Sequence, residues 1–165
     1  MVEEAALTSG ASDTVATVGM CDVFPGAVNS IPSRVRLTLD VRDTDLLRRD
    51  SVLQTIQKKS RQVSERRGVS IQFHIINADT PAICSSIVID ALIRSCSKYN
   101  LPFQKMVSRA YHDSLFMSRV APAGMLFIPC RNGYSHRPDE FASPEDVARG
   151  TLVLAETLAE LSRCD

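Results

Sequence analysis

Two of the three histidines, His112 and His136, fall in one stretch, Ser108 to Asp146, which also holds much of the turn chemistry of the chain. A neutral imidazole is the commonest side-chain ligand for a transition metal, and adjacent carboxylates can orient it. His136 has such neighbours in Asp139 and Glu140, within a polar loop from Cys130 to Ala142 that also carries Arg131, Asn132, Tyr134, Ser135 and Arg137. A histidine without partners at fixed spacing is also a solvated loop residue, and on this stretch alone both readings stay open. His112, in Arg109-Ala110-Tyr111-His112-Asp113-Ser114, stands where a predicted strand over 104–108 gives way to a short helix. The third histidine, His74, alternates with Ser70 and Gln72 on the polar side of a predicted strand over 69–77 and reads as a surface residue.

Two earlier residues could hold an anion. Arg42 ends the polar face of the alternating stretch Val35 to Arg42, and Asn29 sits in the connection before it, between Pro25-Gly26 and Pro32. A guanidinium offers a planar two-donor fork matched to a carboxylate, and an amide both donates and accepts. Taken by themselves, Asn29 is also a turn residue and Arg42 a solvated strand residue.

The elements that must position these groups follow from periodicity and punctuation. Val2 to Leu7 reads as the last turns of a helix ended at Ser9-Gly10. Thr14–Val23 and Val35–Arg42 read as strands, the second with Val35, Leu37, Leu39 and Val41 on one face. Leu46 to Arg67 reads as a helix with Leu46, Leu47, Leu53, Ile56 and Val63 near one face, closed by Gly68, its basic residues a solvated face. A strand over 69–77 returns, and a domain boundary is predicted near Asp79-Thr80-Pro81. After it come a helix over 85–99, the strand over 104–108, the His112 segment, a strand over 125–129 (MLFIP), the His136 loop and a closing helix, Ser143 to Ser162. Ser143-Pro144-Glu145-Asp146 opens that helix with a cap, a first-position proline and two acids, and Val147, Leu154, Leu158 and Leu161 form its predicted inward stripe. Loops at the carboxyl ends of sheet strands are where α/β proteins gather reactive groups.

Asn29-Ser30-Ile31-Pro32, Leu39-Asp40-Val41-Arg42-Asp43, the His112-Asp113 segment, Ile128-Pro129-Cys130, Ser135-His136 and Ser143-Pro144-Glu145-Asp146 together resemble the C-terminal part of the M20-type metal-dependent amidohydrolases. That group includes allantoate amidohydrolase, the N-carbamoyl amino acid hydrolases and ureidoglycolate amidohydrolase. Most relatives carry a glycine-rich S-G-A-G-H-D-A segment where this chain has SRAYHDS, and Arg109 and Tyr111 in place of two glycines resemble the plant ureidoglycolate branch. The resemblance implies α/β with α+β: a partial ferredoxin-like lid, or dimerisation, domain over 1–79, then the C-terminal portion of an α/β metallohydrolase catalytic domain over 80–165. It further implies hydrolysis of a linear amide or ureido C–N bond, from ureidoglycolate to glyoxylate, ammonia and CO2, by water activated between two manganese ions.

On the matching positions His136 corresponds to one metal ligand, Tyr111 and His112 to substrate-contacting groups, and Asn29 and Arg42 to lid residues on the substrate carboxylate. The remaining ligands and the general-base glutamate of the family lie N-terminal to anything present here, so the chain reads as a fragment, inactive alone. A homodimer through the lid domain is also implied. The runner-up substrates are allantoate and N-carbamoyl amino acids, and a competing class is a non-catalytic interaction module pairing through an exposed strand edge.

Composition excludes other classes. Nineteen basic and nineteen acidic residues cancel, leaving no electrostatic footprint for nucleic acid or an anionic membrane. Cys21, Cys84, Cys96, Cys130 and Cys164 are odd in number and without C-x-x-C spacing, and read as reduced thiols. The acidic start has no apolar core segment, so the chain reads as cytoplasmic, whereas the resembled plant branch is associated with the endoplasmic reticulum through a signal that would precede this chain.

Overall fold

The computed structural model of the chain describes residues 1–163; Cys164, predicted to be a reduced thiol, lies outside them. The chain runs α1 (Val2–Leu7), β1 (Val15–Phe24), β2 (Arg34–Arg42), α2 (Leu46–Arg67), α3 (Ser86–Lys98), α4 (Ser114–Met117) and α5 (Pro144–Leu161). These elements fall into two compact units, one of Met1–Pro81 with Val107–Ala110, the other of Ala82–Met106 with the residues from Tyr111 on. Among the described residues no helix is long and apolar enough to cross a membrane.

In the first unit β1 and β2 pair antiparallel, from Val15 opposite Arg42 to Phe24 opposite Arg34, with an irregularity between Val18 and Met20. The helix α2 begins and ends where its punctuation dictates. Asp45 accepts the Arg48 backbone N–H at the first turn, and Gly68, in the left-handed conformation at φ 64°, gives its N–H to the Ser64 carbonyl. The face it buries is centred on Ile56 of the predicted stripe, with Leu46, Leu53 and Val63 half-buried beside it. Val52, Ile56 and Ser60, four residues apart, turn inward onto Ala5 of α1 and onto Leu39 and Val41 of β2, while Leu47 remains 80% exposed. The arrival of α1 explains the choice: Ser60 is small enough to admit Met1, whose sulfur accepts the Ser60 hydroxyl at 3.9 Å.

A polar knot ties the ends of these elements together. The Asp43 carboxylate accepts Arg48 Nε at 2.8 Å and Nη2 at 2.5 Å, the Thr14 hydroxyl at 2.6 Å and the Asp45 N–H at 2.8 Å. Burial raises the pKa of this carboxyl, but those donors outweigh it and hold it at about 2, against an ordinary 3.8. A depressed acid stabilises the fold above its unfolded pKa and loses that contribution as pH falls through its folded pKa. The first unit should therefore lose about 2 kcal/mol between pH 4 and pH 2. Urea midpoints measured against pH check this: Asp43→Asn is expected to flatten the acid limb and to lower stability at pH 7 by a similar amount.

In the second unit α3 and α5 pack through small residues. Ser95 and Thr157, both buried, join their hydroxyls at 2.9 Å beside buried Ala91, Cys96 and Val153, and Thr157 also reaches the Val153 carbonyl at 2.8 Å. Around this seam lie the pairs Arg94–Glu160 and Lys98–Glu156, with the Tyr99 hydroxyl donating to Glu156. The predicted stripe of α5 is thus wrong: Val147, Leu154 and Leu158 are exposed, because the small face of α3 takes Val153 and a satisfied threonine at close range. The cap of α5 is as predicted, Ser143 accepting the Asp146 N–H with Pro144 at the first position.

The predicted strands over 69–77, 104–108 and 125–129 do not form. Among the described residues the sheet has two strands, β1 and β2, and the other stretches are irregular, with Ile71, Phe73, Ile75 and Met106 exposed. Alternation favours an extended chain, but a strand exists only where a neighbour completes its ladder. The 125–129 stretch is held by α5 and α3 instead. A Cβ on Gly124 would stand 2.7 Å from Val88 Cγ1, and one on Gly150 would overlap Ile128 Cγ2. The architecture is a mixed α/β one, helices with a small sheet.

Candidate functional site

In the first unit the candidate residues lie at the two ends of one hairpin. Asn29 is exposed in the β1–β2 connection, whose base is closed by the Ser33 N–H on the Phe24 carbonyl at 2.9 Å. Arg42 ends β2, opposite Val15. Between Arg34, where β2 begins, and Arg42 run eight residue steps, ~26 Å of strand. One chain therefore does not bring Asn29 and Arg42 onto the same small molecule.

The guanidinium of Arg42 is already held. Its Nε donates to both Asp40 oxygens, at 3.0 and 3.1 Å, its Nη2 to Asp40 Oδ2 at 2.6 Å, and its Nη1 to the Arg109 carbonyl at 2.6 Å. The hydrogen bonds that Arg42 gives to Asp40 raise its pKa, so the group stays cationic. Around it lies a hollow of about 560 Å³ whose lining includes Thr17, Thr38, Leu39, Asp40, Arg42 and Arg109. Asp40 carries no role of its own in the sequence, and Arg109 reads there only as a mark of the branch. Asp40 was legible in principle, since residues two apart in a strand share a face, whereas nothing in the sequence brings Arg109 to β2.

In the second unit His112 and Tyr111 precede α4. His112 Nδ1 receives the Ser114 backbone N–H at 3.1 Å and lies 3.0 Å from the Ser114 hydroxyl. A backbone N–H can only donate, so Nδ1 is an acceptor, and the neutral ring carries its proton on Nε2. His112 is thus arranged to give a hydrogen bond from Nε2, a role suited to a substrate oxygen and not to a metal. Tyr111 stacks edge-on against Phe116, ring centres 5.9 Å apart.

His136 stands exposed in a loop folded by its own side chains. The Arg131 N–H meets the Phe141 carbonyl at 2.8 Å and its guanidinium lies over the Phe141 ring, while Arg137 covers Tyr134 and pairs with Asp139. His136 itself takes a positive φ of 57° and gives its N–H to Glu140 Oε2 at 2.8 Å. Left-handed backbone at a residue other than glycine costs about 1 kcal/mol or more and marks positions where surrounding structure dictates geometry. The ion pair implied by the resemblance is not accommodated by these residues alone. Among the described residues no three His, Cys, Asp or Glu side chains gather to hold a metal, and a lone imidazole supplies one ligand.

Comparison with known proteins adds the relationships. The family model for peptidase family M20/M25/M40 matches residues 2–160. The chain is 50% identical over 162 residues to a ureidoglycolate hydrolase of Oryza sativa subsp. japonica, covering 98% of the chain and 34% of that protein. It is 39% identical over 157 residues to an N-carbamoyl-L-amino-acid amidohydrolase of a Pseudomonas species, covering 95% and 38%. The fold matches crystal structures of AtUAH in complex with (S)-hydroxyglycine and with glyoxylate, each with a TM-score of 0.89 at 48% identity, covering 98% of this chain and 38% of that one. The chain thus spans about a third of the length of the curated relatives it matches.

Proposed function

We propose a function from one premise, that the chain belongs to peptidase family M20/M25/M40: it forms part of a hydrolase that cleaves the ureido C–N bond of ureidoglycolate, releasing glyoxylate, ammonia and CO2. The members of this family are metal-dependent hydrolases. The observation that carries the reading is the Ser108–Ser114 segment, SRAYHDS, in a chain about half identical to a ureidoglycolate hydrolase over nearly all its length.

Ureidoglycolate carries a carboxylate and a ureido group, and the proposed side chains suit both. Arg42 and Asn29 hold the carboxylate end, and Tyr111 and the Nε2–H of His112 address the oxygens beside the reacting carbon. His136 is assigned as one ligand to manganese, the ion that would supply an activated water when bound. The ~26 Å of strand between the hairpin loop and Arg42 supports a homodimer through the first unit, in which one copy supplies Asn29 and the other Arg42 to a shared substrate. The endoplasmic-reticulum association of the plant branch belongs to the same proposal.

A chimera tests it. Residues 2–160 of this chain, replacing the matching part of the rice enzyme, are expected to support release of glyoxylate and ammonia from ureidoglycolate with manganese present. Tyr111→Gly in that chimera should lower kcat/KM for ureidoglycolate by about tenfold relative to allantoate and N-carbamoyl amino acids. A folded chimera that cleaves only N-carbamoyl amino acids, or one whose preference ignores Tyr111, would sink the assignment.

A further inference from the structure

A carboxylate-binding arginine works only if its planar fork is held where the anion arrives, and an exposed arginine side chain loses considerable rotamer freedom when it is fixed. Arg42 is fixed before any anion comes. Of its five N–H donors, Nε–H and one on Nη2 are taken by Asp40, and one on Nη1 by the Arg109 carbonyl. One N–H is left on each terminal nitrogen, the number a carboxylate accepts.

Asp40 also cancels the charge of Arg42, so the pair alone offers an anion little attraction. The remaining cation on the lining of the hollow is Arg109. Its Nη2 donates to the Ser12 carbonyl at 3.0 Å. Ser12 is itself a firm anchor, because the next residue, Asp13, accepts the Thr44 hydroxyl and pairs with Arg48 at 3.4 Å inside the Asp43 knot. The result is that Val107–Ala110 belongs to the first unit, although the chain on both sides of it belongs to the second.

We propose that Arg109 is a positioning residue for the carboxylate-binding arginine: its side chain clamps the 107–110 segment to Ser12, so that its own carbonyl can pin Nη1 of Arg42. The inference rests on the reading of Arg42 as the carboxylate residue and goes beyond it, since it gives Arg109 a task in an interaction it does not itself make. Without the clamp the carbonyl drifts, the Arg42 plane swings about its contact with Asp40, and the anion must order the side chain on binding.

The test uses the 165-residue chain, glyoxylate as the carboxylate probe, and 15N NMR of the Arg42 Nε–H, assigned by its loss in Arg42→Lys. The backbone amide spectrum verifies that each variant is folded. Arg109→Ala is expected to shift and broaden the Arg42 Nε–H signal and to weaken glyoxylate binding by about tenfold, the ordering of one side chain. Arg109→Lys, which keeps the charge and can still reach Ser12, should fall between it and the parent. Arg42→Ala should weaken binding by about thirtyfold. An Arg42→Ala variant that binds glyoxylate as the parent does, or a parent that binds none, overturns the carboxylate reading beneath the proposal. If Arg42→Ala loses binding while Arg109→Ala leaves both signal and affinity intact, the positioning role alone is wrong. That role is equally wrong if Arg109→Ala weakens binding with an unmoved Arg42 signal and Arg109→Lys behaves as the parent, because charge alone then accounts for the loss.

Discussion

Ile56→Ala should lower the stability of the first unit by about 4 kcal/mol. Ile56 is 1% exposed and is the largest side chain in a core that, among the described residues, it shares with Ala5 and Val52, with Val2, Leu39 and Val41 packed around it. With so few apolar groups sharing the load, little can collapse into the space left by three lost carbons, and the cost belongs near the upper end for such truncations. Leu39 and Val41 flank Asp40 and lead to Arg42, so the helix position furthest from solvent also holds the strand that presents the guanidinium. A fall of about 20 °C in the melting temperature of this unit is expected, followed by hydrogen exchange of the α2 and β2 amides. Ile56→Val, which removes one carbon, should cost about 1 kcal/mol. A melting point within a few degrees of the parent for Ile56→Ala would mean that this small core is not what holds the hairpin.

Gly150→Val should cost the second unit about 3 kcal/mol, although it removes a glycine from the interior of a helix. On an exposed helix the exchange would be mildly favourable, since valine is a better helix former than glycine. Here even a Cβ would overlap Ile128 Cγ2, and valine adds two methyl groups beyond it. The clash involves a methyl directly on Cβ of Ile128, which cannot bend away without moving the 125–129 stretch. Pairing the change with Ile128→Ala identifies the cause. The double variant should recover more than half of the loss in a double-mutant cycle of urea midpoints, and purely additive costs would show that the close approach of this stretch to α5 is not the reason Gly150 is needed.

The elements that could be read in advance are those whose signals are local. Gly68 closes α2, and Ser143-Pro144 opens α5, because a cap is satisfied by the residues beside it. Faces were harder. Which stripe of α2 or α5 turns inward depends on what arrives opposite: α1 and its small Ala5 in one case, Ala91 and Ser95 of α3 in the other. The three unformed strands fail for the same reason, since their alternation is real and a ladder partner is not a property of the segment. For the candidate site, residue chemistry alone left Asn29, Arg42, His112 and His136 with plain alternatives, and the roles proposed for them and for Tyr111 rest on the family likeness. The acceptor state of His112 Nδ1 and the seizure of Arg42 by Asp40 and the Arg109 carbonyl are matters of geometry, and nothing local tied Arg109, 67 residues away, to Arg42.

That four-residue excursion bears on how the protein can be dissected. A clone ending at Pro81, the obvious place to cut, would keep the hairpin, the long helix and the acidic knot yet forfeit Val107–Ala110. Such a piece would melt cooperatively and look intact by circular dichroism while its arginine fork hung loose. Limited proteolysis followed by purification would mislead in the same way, because the first unit is assembled from two separate lengths of polypeptide.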